Sequence, residues 1–299
     1  MKNFARMLRK TQPELKTYLE SRLKSDGRQV ITDDGYIFSQ GNVPVLLVAH
    51  LDTVHKEIPK EIFYDDNTKT LSSPQGIGGD DRCGVYMILK VLDKFNCSVL
   101  FCEDEEIGAV GAQKFIDSEH IKGLEFNYII EFDRKGNNDA VFYDCDNIEF
   151  EDFITKEFFK TSWGTFSDIS WLAPALGCAA VNLSCGYYKA HTVNEYIVVP
   201  EMEASIEAAC KIIARTKESD KFEYIEAKHP YKSQYAYEDW FLDDFYTIVY
   251  LAKDGKKSYY DTVALSEDEA IGKFCKNYPE IPYIDIFDVY HEGESNWYI

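Results

Sequence analysis

Hydrophobic and polar positions switch repeatedly between helical and strand periods along residues 1–217. Residues 5–24 carry apolar side chains at helical spacing and predict an amphipathic first helix. RQVITDDGYIFSQ, residues 28–40, predicts a hairpin with Asp-Gly at its turn. Residues 43–49 (VPVLLVA) form an unbroken apolar run, the pattern of a strand buried on both faces. A second hairpin is expected over residues 62–73 and a helix over 81–93, followed by a strand at 97–102. The pattern continues with a helix at 108–118, strands at 126–132 and 139–145, helices at 148–159 and 167–176, a strand at 178–184 and a long helix at 200–217. Strands separated by helices in this order imply an α/β fold, a mostly parallel mixed sheet sandwiched by helices.

The pattern changes after residue 217. Twelve of the 21 tyrosines fall in the last 83 positions. Residues 245–264 predict a hairpin about Asp-Gly, residues 266–278 a helix with Ser266 as N-cap, and residues 281–290 a final strand. The organisation expected is a catalytic domain over 1–217, a polar linker over 218–237 and a small Tyr-rich α+β appendage over 238–299.

Charge narrows the partners. The chain of 299 residues carries 52 acidic and 32 basic side chains, a formal net charge of −20. Such a chain lacks the basic face that nucleic acid or an anionic membrane requires. No apolar run reaches the ~18–20 residues that span a bilayer, and the basic N-terminus has no apolar segment of a secretory signal. The eight cysteines are scattered through apolar runs without a CxxC pair, as buried thiols in a reducing cytoplasm are. A soluble cytoplasmic protein is expected.

Acidic residues and histidines cluster just past the predicted strands, where open α/β sheets build their sites. His50 and Asp52 follow the run VPVLLVA. Residues two apart at a strand end can point the same way, and a metal-binding histidine commonly donates its second ring N–H to a carboxylate. In QGIGGDDRCGV, Asp80 and Asp81 follow three glycines at the start of a helix. That segment lacks the G-x-x-x-x-G-K-[ST] pattern of a phosphate loop. Four consecutive carboxylates, Glu103 to Glu106, follow the strand SVLF. Unless a cation neutralises them, adjacent carboxylates at such a place repel. Asp133 and His191 stand past two further strands, whereas His55, His120, His229 and His291 have no comparable setting and read as surface residues. Two histidines and many carboxylates without a thiolate motif suit hard or borderline divalent ions, zinc first and manganese or cobalt as alternatives. Their number fits two metals sharing a bridging ligand.

The ordered set His50-x-Asp52, Asp80-Asp81, Glu105-Glu106, Asp133, His191 resembles the co-catalytic di-zinc exopeptidase superfamily, which includes peptidase T, zinc aminopeptidases and aminoacylase-type carboxypeptidases. The likeness spans about residues 40–215. It implies that Asp80 bridges two metals, that His50 and Asp133 complete one site and that Glu106 and His191 complete the other. It further implies that Asp52 orients His50, that Glu105 is the general base, and that the peptide bond after Asp80 is cis. Carboxypeptidase-type relatives insert a long lid between the positions of Asp133 and His191, where only 57 residues lie here, and another branch inserts a β-domain between those of His50 and Asp80, where 29 lie. The chain therefore resembles a compact, lidless form, although its DDRCG and HTVNE wording is nearer the branches with insertions. The Tyr-rich appendage matches no part of the pattern.

The reaction this implies is hydrolysis of a peptide or amide bond near a chain terminus, with water as nucleophile and Glu105 shuttling the proton. An aminopeptidase is expected. The alternatives are a zinc carboxypeptidase or N-acyl-amino-acid deacylase with the same site, or a non-catalytic binding relative. No G-x-S-x-G element supports a serine hydrolase, and Cys185 near His191 reads as a strand-end thiol.

Overall fold

In a computed structural model, the structure describes residues 2–156, 158–164, 166–227, 244–252, 256–264, 267–278, 281 and 286–291. The strands in chain order are β1 (Ile31–Asp33), β2 (Tyr36–Ser39), β3 (Val43–His50), β4 (Phe63–Asp65), β5 (Thr70–Ser72), β6 (Cys97–Cys102), β7 (Tyr128–Arg134), β8 (Asp139–Val141), β9 (Lys160–Ser162), β10 (Ala180–Ser184), β11 (Tyr187–Tyr188), β12 (Tyr196–Val198), β13 (Asp244–Leu251), β14 (Lys257–Ala264) and β15 (Ile286–His291). The α-helices are α1 (Lys2–Leu8), α2 (Gln12–Ser25), α3 (Gly79–Leu92), α4 (Val110–Asp117), α5 (Ile148–Thr155), α6 (Ile169–Leu176), α7 (Val199–Arg215) and α8 (Glu267–Asn277). None is long and apolar enough to cross a membrane.

Eight strands form the main sheet in the order β1-β2-β6-β3-β7-β10-β8-β9. The four central strands, β6, β3, β7 and β10, run parallel. Their side chains alternate between two cores. On β3, Val45, Leu47 and Ala49 face one core, which takes in Phe4, Leu15, Phe150 and Met202 from the surrounding helices. Leu46 and Val48 face the other core, against Phe115, Ile169 and Leu172. Helices on both faces explain why these strands read as continuous apolar runs. A smaller antiparallel sheet, β11-β12-β5-β4, stands beside the body, and a three-stranded sheet, β14-β13-β15, carries α8.

Most elements lie where the pattern places them. The expected first helix is two helices, because Thr11 starts a new one: Glu14 accepts the Thr11 backbone N–H at 2.9 Å and Pro13 follows in the first turn. The strand expected over 139–145 stops at Val141, and the helix expected over 148–159 stops at Thr155. Residues 218–227, read from their polarity as the start of a linker, lie along the body. The Phe222 ring sits 5.0 Å from Phe153 and 5.2 Å from Phe150, and Phe222 and Ile225 exchange backbone hydrogen bonds with Asn127, Ala179 and Asp146. The Asp-Gly turn of the last hairpin and Ser266 lie outside the described residues, as does His229. Seven cysteines are buried thiols with no disulfide between them.

Candidate active site

The parallel central strands deliver their C-terminal ends to one edge of the sheet, and the acidic and histidine residues meet there. His50 is the last residue of β3, Asp133 lies near the end of β7, Glu105 and Glu106 follow β6, and His191 follows β11. The loop before α3 brings in Asp80. Gly78 takes a left-handed conformation, φ 66°, and Asp80 and Asp81 are non-helical, so the helix proper begins after them. The Asp80–Asp81 peptide bond is cis. Gly84 lets α3 approach β7: a Cβ there would stand 1.8 Å from the Phe132 carbonyl oxygen.

The geometry is organised about Asp80. Its Oδ1 lies 3.0 Å from His50 Nε2, and its Oδ2 lies 3.1 Å from His191 Nε2. Asp133 Oδ1 is 3.4 Å from the same nitrogen of His50, and Glu106 Oε2 is 3.2 Å from that of His191. Asp52 stands behind, with Oδ1 3.1 Å from His50 Nδ1. The Glu105 and Glu106 backbone N–H groups donate to its two oxygens, each at 3.0 Å. Asp52 thereby couples the ring of His50 to the segment that carries Glu105 and Glu106. Glu105 lines the same cleft as Asp80.

The titration behaviour follows from this crowding. Burial pushes His50 down, but Asp133 and Asp52 outweigh it and raise the imidazole well above its usual value. His191 is raised in the same way by Glu106 and Asp80 against the opposing effect of burial. Burial lifts Asp133 to about 7, helped by Asp80 and opposed by His50. Burial lifts Glu105 to about 9; His50 opposes, and Asp133, Asp168 and Glu106 add to the rise. Asp80 is held far below the carboxylate range, since contact with both histidines overcomes its burial.

A divalent cation fits these residues. With Nδ1–H of His50 directed at Asp52, the Nε2 lone pair faces carboxylate oxygens of Asp80 and Asp133. Acceptor against acceptor is repulsive unless positive charge lies between, supplied either by protons on the rings or by metal ions. Glu106 Oε1 is buried without a hydrogen-bond partner. His50, Asp80 and Asp133 form one group whose donor atoms lie within 4.8 Å of each other, and Asp80, Glu106 and His191 form a second. Asp80 belongs to both.

No protein-family model matches the chain, and no curated protein matches its sequence. Solved structures do. The aminopeptidase PepT of Bacillus cereus matches with TM-score 0.57 at 16% identity, over 71% of this chain and 96% of that one. A tripeptidase of Staphylococcus aureus matches with TM-score 0.56 at 14% identity, over 71% and 97%. An aminopeptidase of the archaeon Desulfurococcus kamchatkensis matches with TM-score 0.52 at 15% identity, over 71% and 94%. The chain has the zinc aminopeptidase-like fold.

Within that fold, His55, Glu195, Arg82 and Tyr187 support the site without standing out in the sequence pattern, and Asp81, which the pattern does single out, joins them. His55, expected at the surface, is buried beneath Gly76, where a Cβ would stand 2.2 Å from its ring. Its Nε2 lies 2.7 Å from Glu195 Oε2. Glu195 is fully buried and also accepts the backbone N–H groups of Gly78 at 2.8 Å and Asp80 at 2.9 Å. It therefore holds the glycine loop from which Asp80 projects. Asp81 accepts the N–H of His50 at 3.3 Å and that of Gly84 at 2.8 Å, tying β3 to α3. Arg82, buried and lowered by that burial to about 10, donates to the Asp52 carbonyl at 2.7 Å. Tyr187 donates to Asp133 Oδ1 at 3.2 Å. The only sequence signal for Glu195 is its place in HTVNE, four residues after His191. His120 is exposed, as expected. Glu103 faces Lys16 at 2.5 Å, away from the paired histidines.

Proposed function

We propose that this chain is a metal-dependent exopeptidase of the aminopeptidase type. His50, Asp80 and Asp133 would hold one divalent cation, and Asp80, Glu106 and His191 a second; zinc suits the donors first, with manganese or cobalt as alternatives. The observation that carries this reading is Asp80, one carboxylate shared between two histidine–carboxylate groups, with Glu105 beside it in a cleft. The fold shared with proteins named aminopeptidase and tripeptidase supports it.

Cations bound in this way acidify a water and polarise a carbonyl. The protein's residues do the rest. Asp52 holds His50 in the tautomer that leaves Nε2 as donor to a cation. Glu105 takes the proton of the attacking water and delivers it to the departing amine. Its carboxyl, lifted by burial among other carboxylates, returns toward a working range once positive charge occupies the two groups.

The cleft has a volume of about 200 Å³, smaller than the roughly 300–1,000 Å³ of drug-sized pockets. That suits the end of a peptide rather than a chain passing through. Arg134 and Lys135 also line it, but Asp139 at 3.3 Å and Glu267 at 3.6 Å balance them. This argues against the carboxypeptidase and deacylase readings, which need a cation given over to the substrate carboxylate.

Metal analysis with paired substrates tests the proposal. The expected result is two divalent ions per chain and cleavage of a short peptide that stops on amino blocking and survives carboxyl amidation. The reverse pattern assigns a carboxypeptidase or deacylase. Two bound metals with no hydrolysis of any of these peptides assigns a binding protein.

A further inference from the structure

We propose that the C-terminal appendage is part of the substrate cleft and that Glu267, on α8, is a specificity residue that receives the substrate's amino terminus. The inference rests on the peptidase reading for the identity of the ligand. The observations behind it are the composition of the cleft and the way α8 is seated.

The cleft is lined from the body by Asp80, Glu105, Glu106 and Asp133, and from α8 by Glu267 and Ile271. A free ammonium needs a carboxylate acceptor. Among the described residues, four of the five carboxylates lining the cleft are assigned to the cation groups or to the water. Glu267 is the remaining one.

It is held in place by the packing of α8. Ile271, one turn further on, is 7% exposed; it lines the cleft and belongs to the core of the appendage. Ala270 and Phe274 are fully buried on the sheet side of the same helix. The face carrying residues 267 and 271 is thereby turned to the cleft. Lys135, two residues beyond Asp133, lies 3.6 Å from Glu267 and joins α8 to the catalytic strand β7. An ionised carboxylate offers about four acceptor positions, so Glu267 can keep Lys135 and still accept an ammonium. Phe166, which also lines the cleft and is 41% exposed, gives the side chain of a terminal residue an apolar surface.

The test uses the full-length, metal-loaded protein and two non-hydrolysable probes, leucinol and its desamino analogue 4-methylpentan-1-ol, with calorimetric affinities. The wild type is expected to bind leucinol at least about tenfold more tightly, the worth of one charge-assisted hydrogen bond. In Glu267→Gln that preference should collapse to below about threefold at unchanged metal content, and Glu267→Asp should restore part of it. KM for Leu-Gly-Gly should rise in parallel in Glu267→Gln. A Glu267→Gln protein that keeps the preference overturns the proposal, as does a wild type without it. The two readings fail separately. A Glu267-dependent preference in a protein that cleaves no peptide removes the hydrolase and leaves the amine site; cleavage of Leu-Gly-Gly with a preference indifferent to Glu267 does the opposite.

Discussion

Asp80 offers one carboxylate oxygen to each of two histidines, Oδ1 to His50 at 3.0 Å and Oδ2 to His191 at 3.1 Å. Because this one side chain belongs to both cation groups, Asp80→Ala should remove both metals rather than one. The expected stoichiometry falls from about two to near zero by atomic absorption. Glu106→Ala or His191→Ala should each leave the His50 group able to bind. Retention of a full complement in Asp80→Ala would refute the shared role.

Among the described residues Glu105 contacts no histidine nitrogen, and it is proposed to move protons, not to hold metal. Glu105→Gln should lower turnover by roughly 10²–10⁴ while metal content stays near that of the wild type. Steady-state kinetics with metal analysis on the same sample checks it. Activity at the wild-type level would move the base elsewhere.

The metal-free protein should lose stability as pH rises from about 4 to about 9. The Asp133, Asp168 and Glu105 carboxyls are raised by burial to about 7, 6 and 9 from unfolded values of 3.8 to 4.5, so the folded state holds their protons more tightly. That contribution is complete below the unfolded values and is lost as pH climbs through the folded ones. His50 and His191, also raised, act in the same direction above 6.5. Asp52 and Asp80, held down, contribute stability above about 3.8 and lose it below. Divalent metal should reverse the trend, since its affinity grows as ligands deprotonate. Thermal melts with and without zinc from pH 4 to 9 measure both. A metal-free stability that rises across this range would contradict the assignment.

Glu195 accepts hydrogen bonds from two backbone N–H groups and lies against His55, all buried. Glu195→Ala should destabilise the protein by roughly 2–6 kcal/mol, because it leaves the buried N–H groups of Gly78 and Asp80 without an acceptor at about 1–3 kcal/mol each. It should also weaken metal binding through Asp80. Chemical denaturation and a zinc titration report the two effects. A loss under about 1 kcal/mol, the scale of an exposed pair, would show that the loop does not depend on Glu195.

Residues 222–227 lie along the body, so the position of a truncation matters. A chain ending at residue 227 should fold and bind both metals but lose the preference for amino-terminal ligands. A chain ending at residue 217 should be markedly less stable, because Phe150, Phe153 and Tyr128 lose Phe222. Melting temperature and metal content of the two proteins distinguish them. Equal stability would place the edge of the body at α7.

The sequence by itself determined the α/β order of the body and put forward His50, Asp52, Asp80, Glu105, Glu106, Asp133 and His191 as candidates for a site. Buried parallel strands announce themselves as apolar runs, and the residues just past their C-terminal ends must converge at one edge of the sheet. The rise in tyrosine after residue 217 also proposes a separate appendage. The resemblance already pointed to Asp80 as the shared carboxylate, and only the tertiary structure set its two oxygens against His50 and His191. It also seated His55 under Gly76 and set Glu195 beneath a loop 115 residues earlier in the chain. Periodicity reports which face of an element is buried; it carries no record of which distant loop a buried carboxylate will meet. Residues 218–227 read as a linker because their charged side chains outnumber the two rings, Phe222 and Tyr224, that pack on the body, and their backbone hydrogen bonds leave no mark in a hydropathy pattern. For the same reason Glu267 could be placed at the cleft only by the docking of α8, since a surface helix reads the same whether its first turn faces water or a substrate.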